Sequence, residues 1–443
     1  MLIIFRSSVR VARVSADDGA ERIDEKMAVI ERIIAKVARG EFARAMRFDG
    51  KNSTDLPSPA PGVKRLLYLH IPFCESLCPY CSFHRIPFED ALARAYFKAI
   101  RKELILYRDR GYDFAGIYVG GGTPTVLTDE LVETLAEARR MFSIGEISVE
   151  TNPSHLREDR IGLLVDGGVN RLSVGVQSFD DCLLADMGRL DRYGGGALAA
   201  ERLKNLRGRF ETVNADMMFN FPAQTEASIE RDLAMLRDLE LDQVTYYPLM
   251  VSDAARGQVQ EMFGALDYEK ERSFYLRITE GLTPLYRQAT AWCFSRSAAM
   301  IDEYIVDYDE YAGLGSGSIG YLGGRCYANT FDIEGYIGEI RSGRLPIMAA
   351  RGFTVKERMR YDFLMKLFGL SCPVSFFRDK YGLSLLRVLW QDVLAFYLAG
   401  GLRYKSGVLG LTLRGRYFWV IMMRQFFTAV NNFRDYCRRG IEV

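Results

Sequence analysis

The stretch RLLYLHIPFCESLCPYCSF, residues 65–83, combines a strand pattern with a cluster of cysteines. Its first seven residues are mostly apolar, which predicts a short buried strand. Cys74, Cys78 and Cys81 follow within eight residues. Three thiolates on one short loop are enough to bind three irons of a cubane iron–sulfur cluster and leave the fourth iron open. We therefore predict a metal site directly after this strand.

A structural zinc site is the main alternative for these cysteines. Zinc normally binds four ligands, usually as two separated pairs, and the sequence contains no second CxxC motif. His84 would have to complete a Cys3His set. Eight cysteines in 443 residues are too few for a disulfide scaffold. The remaining five are scattered, which is typical of small buried hydrophobic residues: Cys182, Cys293, Cys326, Cys372 and Cys437.

Strand and helix patterns alternate on the carboxyl side of residue 64. This alternation predicts parallel strands joined by right-handed crossovers, and six such units favour a partial (β/α)6 barrel over a closed eight-fold barrel. In such folds the functional residues lie at the carboxyl ends of the strands. The strand candidates are RLLYLHI, GIYVGGG, EISVET, RLSVGVQS, TVNADMMF and QVTYYPL, and the helix candidates between them are 90–110, 128–141, 157–167, 194–207 and 225–240.

The flanking sequences predict two smaller regions. Residues 22–48 have the apolar spacing of an amphipathic helix, and the proline-rich stretch 51–62 predicts an irregular connector. We therefore divide the chain into an N-terminal helical extension with its linker (1–62), the barrel (63–350) and a C-terminal α+β module (351–443). The C-terminal module is expected to be winged-helix-like, with helices at 355–369 and 384–399, a turn-rich β pair, and a last helix from Trp419.

The composition is that of a soluble globular protein without a strong charge bias. The chain has 58 Lys and Arg against 57 Asp and Glu, so bulk charge predicts no nucleic-acid partner. No run of 18 apolar residues occurs, which predicts no membrane span. The N-terminal sequence MLIIFRSSVR has only five apolar residues before Arg6, so we expect a cytoplasmic protein.

The cysteine loop resembles that of the radical S-adenosylmethionine (SAM) enzymes, in which a CxxxCxxC loop follows the first strand of a partial barrel. More narrowly, YLHIPFCESLCPYCSF resembles the corresponding segment in the coproporphyrinogen-oxidase-like branch of this family, which is named after the oxygen-independent coproporphyrinogen III oxidases. The resemblance spans roughly residues 64 to 440. It continues through GGGTPT (120–125), ETNP (150–153), VGVQSFD (174–180), DMMFNFP (216–222), GLGSGSIGYL (313–322) and YANTFDIEGYI (327–337).

The resemblance implies a [4Fe-4S] cluster on Cys74, Cys78 and Cys81, together with one or two SAM molecules. A second SAM would be bound in part by the segment 313–319. Glycines at 120–122 would let the backbone approach a ligand closely, where a Cβ would obstruct it. The resemblance implies that Tyr68 and Phe83 shield the cluster and stack near adenine. The full set of implied cofactor-binding residues is Tyr68, Phe83, Gly121, Gly122, Thr123, Glu150, Gln177, Arg189, Asp216 and Ile319.

Three departures from the family pattern mark a divergent branch. Phe83 stands where the oxidases have a further cysteine, as it does in the haem-chaperone members. The His-Asn-x-x-Tyr-Trp stretch of the chaperones is replaced by Ala-Trp-Cys-Phe-Ser-Arg at 291–296, and Asn220 stands where the family usually has Gly. Because a planar acidic substrate favours an aromatic face and a guanidinium, we predict that Trp292 and Arg296 line the substrate cavity.

The resemblance implies an enzyme that abstracts hydrogen from a tetrapyrrole-like or other small-molecule substrate, in porphyrin biosynthesis. It also implies an electron donor such as flavodoxin or ferredoxin. Two alternatives remain open on the sequence: a haem chaperone of the same family, and a methyltransferase that uses two SAM molecules. In a chaperone, the candidate haem ligands would be His70, His84, His155, Cys293 and Cys326.

Overall fold

The computed structural model describes residues 20–48, 55–298 and 304–439. Two compact units are present among them. The larger unit comprises 48–288, 292–352 and the residues from 431 onward, and the smaller comprises 20–47, 289–291 and 353–430. Within the described ranges, no helix is both long enough and apolar enough to cross a membrane.

The secondary structure alternates between strands and helices over most of the chain. The strands are β1 (Arg65–Ile71), β2 (Phe73–Cys74), β3 (Ile86–Pro87), β4 (Gly116–Gly121), β5 (Glu146–Thr151), β6 (Arg171–Gln177), β7 (Thr212–Phe219), β8 (Gln243–Pro248), β9 (Arg287–Gln288), β10 (Cys293–Ser295), β11 (Glu310–Leu314), β12 (Ile319–Leu322), β13 (Arg325–Asn329), β14 (Ile347–Gly352), β15 (Ser371–Pro373), β16 (Leu402–Lys405) and β17 (Val408–Leu411). The helices are α1 (Ala20–Ala45), α2 (Asp90–Arg108), α3 (Thr128–Met141), α4 (Glu158–Asp166), α5 (Asp181–Asp186), α6 (Leu190–Tyr193), α7 (Gly196–Lys204), α8 (Glu226–Leu239), α9 (Asp253–Phe263), α10 (Tyr268–Leu282), α11 (Tyr304–Asp307), α12 (Ile333–Arg341), α13 (Val355–Phe368), α14 (Ser375–Tyr381), α15 (Leu385–Val388), α16 (Trp390–Leu398) and α17 (Leu413–Arg439).

The larger unit is built on the six predicted strands. They pair in parallel in the order β1-β4-β5-β6-β7-β8, and the predicted α/β class is confirmed. The sheet extends beyond them on both sides, with β14-β13-β12-β11 next to β1 and β10-β9 next to β8. Strand β11, which the sequence analysis did not identify, pairs in parallel with β1. Gly313 and Ala312 lower the strand propensity of 310–314, so pairing with β1 rather than composition makes it a strand.

The two faces of the parallel strands differ in polarity because successive side chains on a strand point to opposite faces. On one face, Phe219 and Tyr246 lie close to Tyr275 of α10. On the other face, polar side chains bond across neighbouring strands. Thr245 Oγ1 donates to Asn214 Oδ1 (3.1 Å), Arg171 Nε donates to Gln243 Oε1 (2.9 Å) and Arg171 Nη1 donates to Ser148 Oγ (3.0 Å). This polar face is the inner face of the partial barrel.

The smaller unit contains the predicted β pair and a helix close to the predicted 355–369, but other boundaries differ. The predicted helix 384–399 is divided at Leu389 into α15 and α16, and α14 was not predicted. Strands β15, β17 and β16 form a three-stranded antiparallel sheet. The last helix begins at Leu413 rather than at Trp419. The Thr412 hydroxyl accepts a hydrogen bond from Gly415 N–H (2.9 Å), a helix N-cap that ends the β pair at Leu411. The N-terminal sequence 1–10 and residues 51–54 of the predicted connector lie outside the described residues.

Candidate functional site

The three cysteines lie on a loop at the carboxyl edge of the parallel strands. The short strands β2 and β3 pair in parallel and close the base of the loop. Ile86 N–H donates to Pro72 O (2.7 Å) and Phe88 N–H donates to Cys74 O (2.9 Å). These bonds hold both ends of the loop against the end of β1, so that the cysteines lie at the edge where barrel enzymes carry their sites.

Two donors contact the sulfurs of this loop. Arg189 Nη1 lies 3.6 Å from Cys78 Sγ, and the Thr123 hydroxyl lies 3.8 Å from Cys74 Sγ. Burial raises the pKa of the Cys74 thiol to about 11, while the bond from Thr123 opposes this rise. A metal ligand must be a thiolate, and a nearby cation or donor favours that form. The sulfurs are therefore supported as ligands by groups from other strands.

The donor set fits a cubane cluster. Among the residues that the structure describes, no three His, Cys, Asp or Glu side chains converge on one point as the ligands of a single ion do. In a cubane cluster, each cysteine thiolate binds a different iron. His84, the fourth ligand of the zinc alternative, has its Nε2 3.2 Å from Ser316 Oγ and its ring stacked 5.8 Å from that of His70. Its imidazole is thus held at the glycine-rich segment 313–319 rather than among the sulfurs.

Asn152 links the two sulfur donors and was missed by the sequence analysis. Its Nδ2 donates to Thr123 Oγ1 (2.9 Å), and its Oδ1 accepts from Arg189 Nη2 (3.1 Å). Arg189 also donates to Gly175 O (2.5 Å), and its side chain is buried. The signal was available in the ETNP motif, where Asn152 follows the last residue of β5 directly.

The glycines at the end of β4 are required by packing within the protein. A Cβ at Gly120 would lie 2.7 Å from the Glu150 carboxylate, and one at Gly121 would lie 2.7 Å from the His70 ring. A Cβ at Gly122 would lie 2.6 Å from Phe73 O. Their small size therefore lets β4 pack directly on the start of the cysteine loop. The predicted contacts of Gly121 and Gly122 with SAM stay predictions.

Glu150 and Asp216 are on the inner face, where their carboxylates are held by neighbours. Glu150 accepts hydrogen bonds from Tyr118 OH (3.0 Å) and from Gly121 N–H (3.2 Å). Asp216 accepts from Ser173 Oγ (2.7 Å) and Asn214 Nδ2 (2.8 Å). Both side chains are half-buried, so each carboxylate is oriented while part of it stays accessible.

Two non-glycine residues at strand ends have left-handed backbone conformations. Gln177, the last residue of β6, has φ +72°, next to a register shift between Gly175 and Gln177. Asn220, just after β7, has φ +63°. Asn is among the residues that tolerate this region best, which explains how it replaces the glycine usual in the family. The bends turn the chain at the edge where the cysteines lie.

Tyrosines line the inner face next to the cysteine loop. Tyr68 OH lies 2.9 Å from His70 Nδ1, and its ring stacks 5.9 Å from that of Tyr304. Tyr304 also lies 5.3 Å from Tyr118 and 5.3 Å from Tyr311. The sequence analysis missed Tyr304, because α11 is one short turn outside the predicted elements. The group of Tyr68, Tyr118, Tyr304 and Tyr311 is named the tyrosine cluster below.

Phe83 and Ile319 lie at the margins of the site. The Phe83 side chain is 45% exposed, and one face of its ring is covered by the Arg434 guanidinium at 4.9 Å from the ring centroid. Ile319 is the half-buried first residue of β12. Their predicted roles in SAM binding stay predictions.

The glycine-rich segment 313–319 is bound by the protein along its length. Gly313 N–H donates to Tyr327 OH (3.0 Å) and Gly315 N–H donates to Glu103 (2.9 Å). Ser316 N–H donates to Tyr96 OH (2.7 Å), and Gly317 N–H donates to Thr330 O (2.8 Å). These four amides already have acceptors, so a second SAM would have to be bound here by other groups.

Glu103 predicts a measurable pH dependence of stability. Burial raises the pKa of Glu103 to about 7, although Tyr336 OH, Gly315 N–H and Asn329 donate to it. Between pH about 4.5 and about 7 the folded protein retains this proton and the unfolded chain releases it. The contribution of Glu103 to the free energy of unfolding therefore falls as pH rises through this window and is constant above it.

We expect Glu103→Gln to gain stability relative to the parent protein by roughly 2 kcal/mol between pH 5 and pH 8, because the amide cannot ionise. Urea unfolding of both proteins at several pH values measures this. The other ionisable groups titrate alike in the parent protein and in the variant, so their contributions cancel in the difference between the two free energies of unfolding. A difference that stays constant with pH would show that the Glu103 proton is not linked to folding.

The expectation for Arg296 is wrong. Its backbone N–H donates to Asp242 O (2.9 Å) and its guanidinium to Glu240 O (2.8 Å), both just before β8. It therefore lies at the amino edge of the parallel strands, opposite the cysteine loop. The cause is the antiparallel direction of β10, which carries the chain from the carboxyl edge to the amino edge between Trp292 and Arg296. Trp292 is buried with its ring 5.3 Å from that of Tyr247, and its predicted role stays a prediction.

Comparisons with known proteins identify relatives of this chain. The family model for the radical SAM superfamily matches residues 68–236. The heme chaperone HemW of Bacillus subtilis (strain 168) is 29% identical, with 79% of this chain and 95% of the relative aligned. The HemW of Lactococcus lactis is 30% identical over 61% of this chain and 73% of the relative. The oxygen-independent coproporphyrinogen III oxidase of Bradyrhizobium diazoefficiens is 28% identical over 71% of this chain and 74% of the relative.

A solved structure matches the fold over most of the chain. The structure of coproporphyrinogen III oxidase (HemN) from Escherichia coli superposes with a TM-score of 0.70 at 20% identity, covering 83% of this chain and 91% of that one. This match shows the fold, and the sequence similarity to the relatives shows the family. The chain belongs to the radical SAM superfamily, in the family that contains HemW and the oxygen-independent coproporphyrinogen III oxidases.

Proposed function

We propose that this protein is a radical SAM enzyme that abstracts hydrogen from a tetrapyrrole-like substrate. One observation carries the proposal. The three-cysteine loop lies at the carboxyl edge of the parallel strands, with Arg189 and Thr123 contacting two of its sulfurs. A [4Fe-4S] cluster on Cys74, Cys78 and Cys81, once reduced, supplies the electron that cleaves SAM to a 5′-deoxyadenosyl radical.

The protein residues bind and orient the cofactor in this proposal. Glu150 and Asp216 present carboxylate oxygens at the inner face, where they suit the ribose hydroxyls or the amino group of SAM. Arg189 brings a positive charge beside Cys78, which suits both the thiolate and the SAM carboxylate. Gln177 is turned by its left-handed backbone at the end of β6, between the strands that carry Glu150 and Asp216.

The tetrapyrrole-like substrate is supported by the tyrosine cluster and by the names of the relatives. Several half-buried aromatic rings on one inner face suit a planar substrate, because large ring surfaces stack with little loss of side-chain freedom. Three oxidases of coproporphyrinogen III are among the relatives. The proposal also requires a reductant, and flavodoxin or ferredoxin is the class of electron donor we propose.

The test is product formation under anaerobic conditions. Reconstituted protein is reduced with dithionite and given SAM, with and without coproporphyrinogen III, and 5′-deoxyadenosine is quantified by mass spectrometry. We expect 5′-deoxyadenosine to form, and to form faster with the porphyrinogen. S-adenosylhomocysteine with a methylated substrate would indicate the methyltransferase alternative instead. A cluster-loaded, SAM-binding protein that makes no 5′-deoxyadenosine would contradict the proposed enzyme.

A haem chaperone is the second candidate, since three of the relatives carry that name. Each of the three histidines already has a partner in the fold. His70 Nε2 lies 2.9 Å from His84 O, His84 lies at Ser316, and His155 lies 2.8 Å from Thr125 Oγ1 and 3.1 Å from Glu75. Haem ligation through Nε2 of His70 or of His84, or through either ring nitrogen of His155, would break one of these contacts. Stoichiometric haem binding in a spectral titration, without 5′-deoxyadenosine formation, would favour the chaperone.

We expect Glu150→Gln and Asp216→Asn to weaken SAM binding by about ten- to a hundred-fold without loss of the cluster. A hydrogen bond to a charged group contributes roughly 1.5–3 kcal/mol, and the amides keep the shape of the carboxylates. Equilibrium dialysis with radiolabelled SAM measures the affinity, and iron content provides the control. Unchanged SAM affinity in both variants would show that these carboxylates do not bind SAM and serve only to hold Gly121 and the polar side chains of the inner face.

A further inference from the structure

The last turns of α17 place an arginine at the site. Residues 431–439 of this helix belong to the larger unit. Arg438 Nη2 donates to Phe83 O (2.8 Å). Asn432 Oδ1 accepts a hydrogen bond from Asp253 N–H (2.7 Å), and Asn432 Nδ2 donates to Asp253 Oδ2 (2.9 Å). These contacts attach the helix end to the cysteine loop and to the residues after β8. Both lie at the carboxyl edge of the parallel strands.

Arg434 lies on this helix end beside the cysteine loop. Its guanidinium lies over the Phe83 ring, 4.9 Å from the ring centroid. Its positive charge opposes the rise that burial imposes on the pKa of Tyr68 and of Tyr304. The guanidinium is therefore next to the cysteine loop, and its charge acts on two members of the tyrosine cluster.

Arg434 is largely buried without a carboxylate partner among the described residues. Its Nη1 donates to the neutral Asn431 Oδ1 (2.8 Å), and its buried Nε has no hydrogen-bond acceptor within the part of the chain that the structure describes. Burial lowers the pKa of this guanidinium. A buried cation without a counter-ion is costly, and an anion bound beside it would remove that cost.

We propose that Arg434 binds a carboxylate of the substrate at the mouth of the barrel, and so selects planar substrates with acidic side chains over uncharged ones. A guanidinium binds a carboxylate through two parallel N–H donors, while the tyrosine cluster stacks on the planar part. The inference rests on the tetrapyrrole-like substrate proposed above. It assigns to Arg434 the role that the sequence analysis expected of Arg296.

The experiment is a binding titration with cluster-loaded protein in one detergent-containing buffer. The probes are coproporphyrin III, which has free carboxylates, and its uncharged tetramethyl ester. Arg434→Gln is compared with the parent protein and with Arg296→Gln, whose guanidinium lies at the opposite edge of the sheet. Arg434→Lys retains the charge but not the paired donors. SAM affinity and iron content are measured for every variant.

We expect Arg434→Gln to weaken binding of the free acid by about ten- to a hundred-fold, while ester and SAM affinities stay within about two-fold. Arg434→Lys should fall between the two, and Arg296→Gln should bind like the parent. Equal losses for acid and ester, a loss of SAM affinity instead, or no change would each overturn the role of Arg434. If the parent binds neither porphyrin, the tetrapyrrole part of the proposed function fails as well. If the parent protein binds coproporphyrin III and Arg434→Gln binds it equally well, only the inference about Arg434 is overturned.

Discussion

Changing Cys74, Cys78 or Cys81 to Ala will reduce the iron content of anaerobically reconstituted protein from about four irons per chain to nearly none. Each thiolate is expected to bind a different iron, so the loss of one leaves a cubane with two protein ligands. The Arg189 and Thr123 contacts to sulfur cannot replace a ligand, because neither group binds iron as a thiolate does. Iron and sulfide assays with absorbance near the cluster bands measure the result, and 5′-deoxyadenosine formation should disappear with the cluster.

The matched controls are the other cysteines, changed to Ala one at a time. Cys182 is exposed, whereas Cys293, Cys326, Cys372 and Cys437 are buried. Burial raises the pKa of Cys326 and of Cys372 to about 12, as expected for packed thiols that bind nothing. We expect these variants to keep their iron, with some loss of stability at the buried positions. Loss of the cluster from one of them, with retention in the loop variants, would show that the loop assignment is wrong.

Gly122→Ala should lower the free energy of unfolding by about 3 kcal/mol or more. The added Cβ would lie 2.6 Å from Phe73 O, 2.9 Å from Ile71 O and 2.9 Å from Phe73 N. All three are backbone atoms, so relief requires movement of β1 and β2 rather than of a flexible side chain. Gly122 N–H also donates to Ile71 O (2.7 Å), and Thr123 N–H donates to Phe73 O (2.8 Å). The variant should therefore also bind the cluster poorly.

Gly162→Ala is the control for this substitution, because it lies inside α4 and its Cβ would have nothing within 4 Å. There the exchange should be neutral or stabilising by up to about 1 kcal/mol, as for glycine in a helix interior. Urea unfolding of apo and cluster-loaded protein measures both variants. Equal stability of Gly122→Ala and the parent protein would show that the end of β4 can move away from the cysteine loop at little cost.

The roles of the glycines show where reasoning from the sequence ended. The run at 120–122 was interpreted as a close approach of the backbone to a ligand, and the structure adds that a Cβ there would meet Glu150, His70 and backbone of the cysteine loop. A glycine in the sequence indicates that something comes close to the backbone. Whether the neighbour is a ligand or the protein depends on contacts between residues far apart in the chain.

Residues at strand ends were found more reliably than residues on connecting segments. The implied site residues Thr123, Glu150, Gln177 and Asp216 all lie at or near the carboxyl ends of predicted strands, as the alternation of strands and helices requires. Asn152, Tyr304 and Arg434 were missed. Tyr304 and Arg434 lie on a short helix and at the end of the last helix, where no local pattern indicates a direction toward the cysteines.

By itself the sequence determined the six parallel strands, most of their helices and the cysteine loop, because these depend on periodicity and spacing over short distances. Only the tertiary structure decided which side chains meet. It placed β11 beside β1, turned Arg296 to the far edge through the antiparallel β10, and brought Arg434 of the last helix to Phe83 beside the cysteine loop. The physical reason is that strand pairing and burial join residues by distance in space, which one-dimensional spacing does not encode.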